Sequence, residues 1–183
     1  MPKPLTTDYP SYFGIYVNQV PEDDLEQAFR NQGKILPIFF SSITEEKSLH
    51  AYAKGKWTLR EMLQHIIDAE RIFNYRALCI SRKEPVSLPS FDENIYAANS
   101  NANTRSWLRL IDEFFHLRIS TEDLYKSFTE EMLIQKGMAN NKPVNVVSIG
   151  FITIGHLYHH KKVIEERYLP DLTVPIDHGK NSF

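Results

Sequence analysis

The chain is nearly devoid of cysteine: of 183 residues only Cys79, in the apolar run YRALCI, is one. An internal disulfide is therefore excluded, a reducing compartment fits, and the thiol reads as a small buried hydrophobe rather than a nucleophile. Long apolar runs are also missing. No stretch approaches the roughly 18 residues of a membrane span, and the N-terminus, MPKPLTTDYPSYFGIYV, has no continuous apolar core of the kind a signal peptide needs. A cytoplasmic protein without a membrane partner is the expectation. Charge of one sign is not concentrated anywhere: 21 basic and 23 acidic side chains are interspersed, for a net charge of −2, so nucleic acid is not an expected partner. Repeats and low-complexity tracts are absent, and no segment reads convincingly as a strand.

What remains is helical periodicity. At 42% apolar residues the chain can bury a substantial core as one domain over residues 1–183, with an irregular N-terminal segment (1–19) and an irregular tail (170–183). Four segments carry the pattern. The first follows Val20-Pro21-Glu22-Asp23-Asp24 and repeats Leu25, Phe29, Leu36, Phe40 and Ile43, with a kink or break expected near Pro37. The second opens on the capping box Thr58-Leu59-Arg60-Glu61, with Trp57 before it as a hydrophobic staple on Met62, and should stop near Ile80 or Ser81. The third follows Thr104 and contains Trp107, Ile111, Phe114 and Leu124, with a possible interruption at Ser120–Asp123. The fourth runs from about Val146 to Tyr168 and should end before Leu169-Pro170.

The link between the second and third helices, about 20 residues with Pro85 and Pro89, is long for a bundle. Extended, it can span roughly 65 Å, whereas a 24-residue helix is about 36 Å long. It can cross the whole bundle and leave helices two and three parallel. The expected fold class is therefore all-α: a four-helix bundle with up-down-down-up topology.

The residues that can carry chemistry are histidines. His156 and His160, in GFITIGHLYHHKKVIEERYL, stand one helical turn apart on the inward face with Ile149, Ile152 and Val163. His65 lies on the apolar stripe of the second helix, with Met62, Ile66, Ala69 and Phe73. Three inward imidazoles are costly to bury without partners, and one metal ion can satisfy them together while keeping an open position. An HxxxH pair alone also occurs on helices that bind nothing. His156 and His159 are i,i+3 neighbours and could pair instead, but His160 continues the stripe and is preferred, with His159 flanking. His50, His116 and His178 read as ordinary surface or loop residues. Asp68 and Glu70 are the candidate acids for proton transfer or for orienting an imidazole, although both offsets from His65 point toward a solvated helix flank. Arg71, Arg76 and Arg105 can hold an anion or simply be solvated. Asp92 and Glu93 lie on the crossover, without a placement relative to the histidines.

These residues also carry a resemblance. GKWTLREMLQHIIDAERIFNYRAL resembles the second helix of the DinB/YfiT-like family, and GFITIGHLYHHKKVIEERYL its last helix. The resemblance implies a bundle of that unusual topology, a divalent metal, zinc or nickel, on His65, His156 and His160, and a homodimer. It also implies a small-molecule substrate. The family's members act as metal-dependent hydrolases, or as transferases and isomerases using a low-molecular-weight thiol such as bacillithiol or mycothiol. A metal-dependent enzyme activating water or such a thiol is the leading expectation. A non-catalytic stress-related or metal-binding bundle with a structural ion is the alternative, and a vestigial member with an empty site is a weaker one.

Overall fold

A computed structural model describes residues 1–172 of the chain; residues 173–183, and with them His178 and most of the tail expected to be irregular, lie outside the described residues. Four long helices dominate: α1 (Leu25–Ser41), α2 (Leu59–Ser81), α3 (Trp107–Lys126) and α4 (Val146–Val163). Each begins on a side chain that accepts a hydrogen bond from an amide of the first turn, which would otherwise have no partner. Asp24 accepts from Gln27, Ser106 from Arg109 and Asn145 from Ser148. At α2 the capping box is complete: Thr58 Oγ1 accepts from the Glu61 amide at 3.1 Å, and the Glu61 carboxylate accepts from the Thr58 amide at 2.8 Å.

Three expectations about helix continuity give way. α1 runs through Pro37 without a break. The carbonyl that Pro37 leaves without a donor belongs to Gly33, which is exposed, so water can take its place. α3 passes through Ser120–Asp123 uninterrupted, because the Thr121 hydroxyl turns inward and donates to Glu70 at 2.6 Å. Past α4 the chain makes one π turn over Ile164–Tyr168 and stays helical over Leu169–Leu172. Tyr168, at the end of that wide turn, is fully buried and donates to the Trp57 carbonyl at 2.8 Å.

The chain is mostly helical, but the N-terminal segment expected to be irregular has structure, and a hairpin forms where no strand was expected. Residues 1–19 contain short helical turns, Ser11–Phe13 and Gly14–Val17, and bury Tyr9 and Val17 in the core. A β-hairpin, β1 (Lys136–Ala139) with β2 (Lys142–Asn145), precedes α4. Its turn is Asn140-Asn141, both left-handed at φ 51° and 56°, the backbone that a two-residue hairpin turn demands. Leu88 of the crossover pairs with this hairpin, donating to Met138 and accepting from Asn140 at 2.9 and 2.8 Å. The crossover also carries a short helix, Glu93–Asn99, capped by Asp92.

Side-chain pairings order the helices. Between α2 and α3 the partners rise together, from Gln64 with Arg105 through Arg71 with Glu113 to Asn74 with Thr121. Between α1 and α4, Gln32 donates to the Ile154 carbonyl and Lys161 lies over the Phe39 ring, again rising together. The other two interfaces run oppositely. Gln32 meets Arg118 and Phe40 meets Trp107, while Trp57 meets Tyr168 and Phe73 meets His156. No helix among the described residues is long and apolar enough to cross a membrane.

Candidate metal centre

α2 and α4 pack closely and bring His65 against the His156/His160 pair. All three rings are buried. Their Nε2 atoms converge: His65 to His156 is 3.1 Å and His160 to His156 is 3.0 Å. The alternative pairing through His159 does not form. That ring is half-buried, with Nδ1 3.4 Å from Gln19 Nε2, and stands edge-on to Tyr16 and His160. His116 is exposed against the Asp112 carbonyl and His50 lies beside Tyr168, neither near the three.

Hydrogen bonding alone serves this cluster poorly. An imidazole nitrogen has one in-plane lone pair or one proton, so His156 Nε2 cannot satisfy two neighbours together. The Nδ1 of His160 is buried without a partner, so all polar stabilisation of that ring must come from its Nε2 side. Protonation is no remedy. Burial pushes His65 down to about 4, and burial followed by the neighbouring histidines holds His156 and His160 well below the ordinary histidine value. At neutral pH the site is three uncharged imidazoles with donor atoms aimed at one point. Donors at metal–nitrogen distances of 2.0–2.1 Å stand about 2.9 Å apart at octahedral angles and about 3.3 Å at tetrahedral ones. The observed 3.0 and 3.1 Å fall in that interval, so the residues fit one divalent ion.

The three histidines line a cavity of about 330 Å³. Tyr12, Phe13 and Tyr16 of the N-terminal segment form one wall, and Trp57, Phe73 and Phe91 add apolar surface. The Trp57 ring lies 4.9 Å from that of His65, and Tyr16 and Phe73 meet His156 edge-on, which fixes the ring planes of two of the clustered histidines. Arg76, Ser90, Glu93 and Asn140 supply the polar lining beyond the histidines and Tyr hydroxyls.

Neither candidate acid lines this cavity. Glu70 is buried rather than solvated. It faces α3, where both carboxylate oxygens accept from Arg118, at 3.1 and 2.8 Å, while Arg118 also donates to Gln32 at 2.5 Å. At five residues from His65 it sits well round the helix from the face that carries that histidine. Asp68 accepts from Gln64 at 2.8 Å and joins Arg71, Arg105 and Glu113 in a polar chain on the α2–α3 surface, beside a separate depression. The acid that does reach the cavity is Glu93, carried there by the crossover. Two cavity features had a signal in the sequence. The aromatic density of YPSYFGIY suits a buried strap, and Arg76, eleven residues after His65, repeats its helical face within about 20°. Glu93 and Asn140 had none, because their placement depends on long-range pairing of the crossover with the hairpin.

Comparison with known proteins bears on the fold and the family. No curated protein matches the chain significantly. A solved structure described as "YfiT from Bacillus subtilis is a probable metal-dependent hydrolase with an unusual four-helix bundle topology" superposes with a TM-score of 0.65 at 14% identity, covering 91% of this chain and 98% of that one. At that identity the likeness speaks for the fold. The sequence profile of the DinB superfamily matches residues 28–164, a span that includes all three clustered histidines, and the chain belongs to that superfamily.

Proposed function

We propose that this chain is a metal-dependent enzyme, in the first place a hydrolase, whose divalent ion is held by His65, His156 and His160. The observation that carries the reading is the convergence of three neutral, buried imidazoles, with His156 Nε2 3.1 Å from that of His65 and 3.0 Å from that of His160, on the wall of a cavity that a small molecule can enter. Three neutral imidazoles suit zinc or nickel. When bound, such an ion supplies Lewis acidity, lowering the pKa of a water or thiol that joins it and polarising an acyl oxygen. The protein's own residues do the rest. The aromatic wall excludes bulk water, Trp57 and Tyr16 hold ligand rings in place, and Glu93 offers a carboxylate for proton transfer in the cavity. The same site can accept a low-molecular-weight thiol, which would make the reaction S-transfer. The up-down-down-up helix order is part of this proposal; the rising pairs at α2–α3 and α1–α4, with opposed runs at the other interfaces, support it.

Elemental analysis of protein purified without a metal-affinity tag tests the reading. About one divalent ion per chain is expected, lost in His65→Ala, His156→Ala and His160→Ala; full retention by all three variants would discard the ligand set. Turnover of an ester and amide panel should stop with chelation and return with zinc or nickel. Turnover only with added thiol selects S-transfer. Loss of thermal stability on chelation, with no turnover on any substrate, selects a structural ion.

A further inference from the structure

Three arginines are buried in the described structure, and two of them are fully occupied. Arg60 pairs with Glu45 and donates to Ser48 and to the Asn103 and Arg105 carbonyls. Arg118 holds Glu70 through two nitrogens and Gln32 through a third. Arg76 is different. It is 7% exposed, yet no carboxylate among the described residues pairs with it. Its one protein hydrogen bond runs from Nη2 to the Pro89 carbonyl at 2.6 Å, and its Nε is buried without a partner. Taking a guanidinium out of water without a counter-charge is expensive, and a folded chain normally pairs it.

Arg76 lines the histidine cavity and is the one arginine or lysine among the described residues that does. Eleven residues put its Cα about 16 Å along α2 from that of His65 on the same face. Both side chains line the one cavity, so the guanidinium and the imidazoles share its space. Between them the cavity is walled by aromatic rings. Glu93 lines it too, but does not pair with Arg76; it faces Tyr16, whose hydroxyl pKa burial and then this carboxylate raise. The phenol of Tyr12 stands on the Arg76 side.

We propose that Arg76 anchors the substrate by its carboxylate, or by another small oxyanion, so that the enzyme acts on small organic acids. The acid group meets the guanidinium and the reacting group meets the histidine end, with an apolar body between them. The inference rests on the hydrolase reading for what happens at the histidines, but the anion site itself does not depend on turnover.

Phenylacetate and its neutral isostere phenylacetamide test it, titrated calorimetrically into the full-length protein both zinc-loaded and metal-free. Wild-type protein should bind the acid about tenfold more tightly than the amide in both states, the scale of one charge-assisted pair. Arg76→Gln should bring the ratio close to one with an unchanged metal content, and Arg76→Lys should keep part of it, having the charge without the fork. Equal binding of acid and amide by the wild type overturns the proposal. So does a preference seen only with zinc, which would put the carboxylate on the metal, or one that a folded Arg76→Gln retains in full. Should Arg76→Gln fail to fold, the two wild-type titrations still decide. A protein without turnover that keeps the preference removes the hydrolase reading and leaves the anion site standing.

Discussion

Gly155 lies directly beneath the backbone of Tyr16: a Cβ built on Gly155 would stand 2.0 Å from the Tyr16 carbonyl oxygen. The N-terminal helical turn therefore crosses α4 at backbone contact, one residue before the clustered His156. This contact keeps Tyr12, Phe13 and Tyr16 over the cavity. The neighbour is backbone, so it cannot rotate away. Gly155→Ala should displace the N-terminal segment and cost about 2–3 kcal/mol by overpacking, or about 5–10 °C in thermal midpoint for a chain of this size. Ligand affinity should drop because one cavity wall is gone, while His65, His156 and His160 still hold metal. A variant that melts with the wild type would mean the strap does not pack as described.

Glu70 and Arg118 make a second, separable prediction. The pair is 2% and 5% exposed at the side chains and joins α2 to α3. Removing one partner strands a buried charge. Glu70→Ala should destabilise by about 3–5 kcal/mol, while an apolar replacement of both, Glu70→Leu with Arg118→Met, should recover most of it. Metal content should stay at the wild-type level throughout. Loss of turnover in Glu70→Gln at undiminished stability would instead return this acid to the chemistry.

The contrast between these acids and the histidines marks what was legible in the sequence. Helical spacing is local, so the shared face of His156 and His160, the inward stripe of His65 and the capping box at Thr58 were all readable. Periodicity says which face a residue takes but not which neighbour meets that face. Glu70 was read as solvated because its partner, Arg118, comes from another helix whose docking no spacing reveals. The hairpin was missed for a related reason: two four-residue strands are too short for alternation to register, and Asn140-Asn141 became a turn signal only beside a known pairing. Glu93 reached the cavity through Leu88, which pairs with that hairpin, so the same blind spot hid both.

That turn can be tested directly. Asn140 and Asn141 both hold positive φ, which asparagine tolerates and β-branched residues resist. Asn141→Gly should be neutral or slightly stabilising, and Asn141→Val should cost about 1–2 kcal/mol. The hairpin positions Asn140 in the cavity lining and anchors Leu88, so the valine variant should also weaken ligand binding. Equal thermal midpoints for the glycine and valine variants would argue against the left-handed turn.

Metal removal should reveal how the three histidines are coupled to the fold. The cluster ties α2 to α4, and an ion that binds only the folded state stabilises it by mass action. At free zinc 100 to 1,000 times the dissociation constant the gain is about 2.7–4.1 kcal/mol, or about 6–15 °C in midpoint. The informative quantity is the increment between zinc and chelator, measured for each variant. In His160→Ala it should vanish, because the Nε2 that converges with His156 is gone and the remaining two rings no longer enclose an ion. In His159→Ala it should persist, since that ring meets Gln19 and Tyr16 rather than the cluster. An increment lost equally in both would show that His159 shares the coordination, and the ligand set would have to be redrawn around the i,i+3 pair.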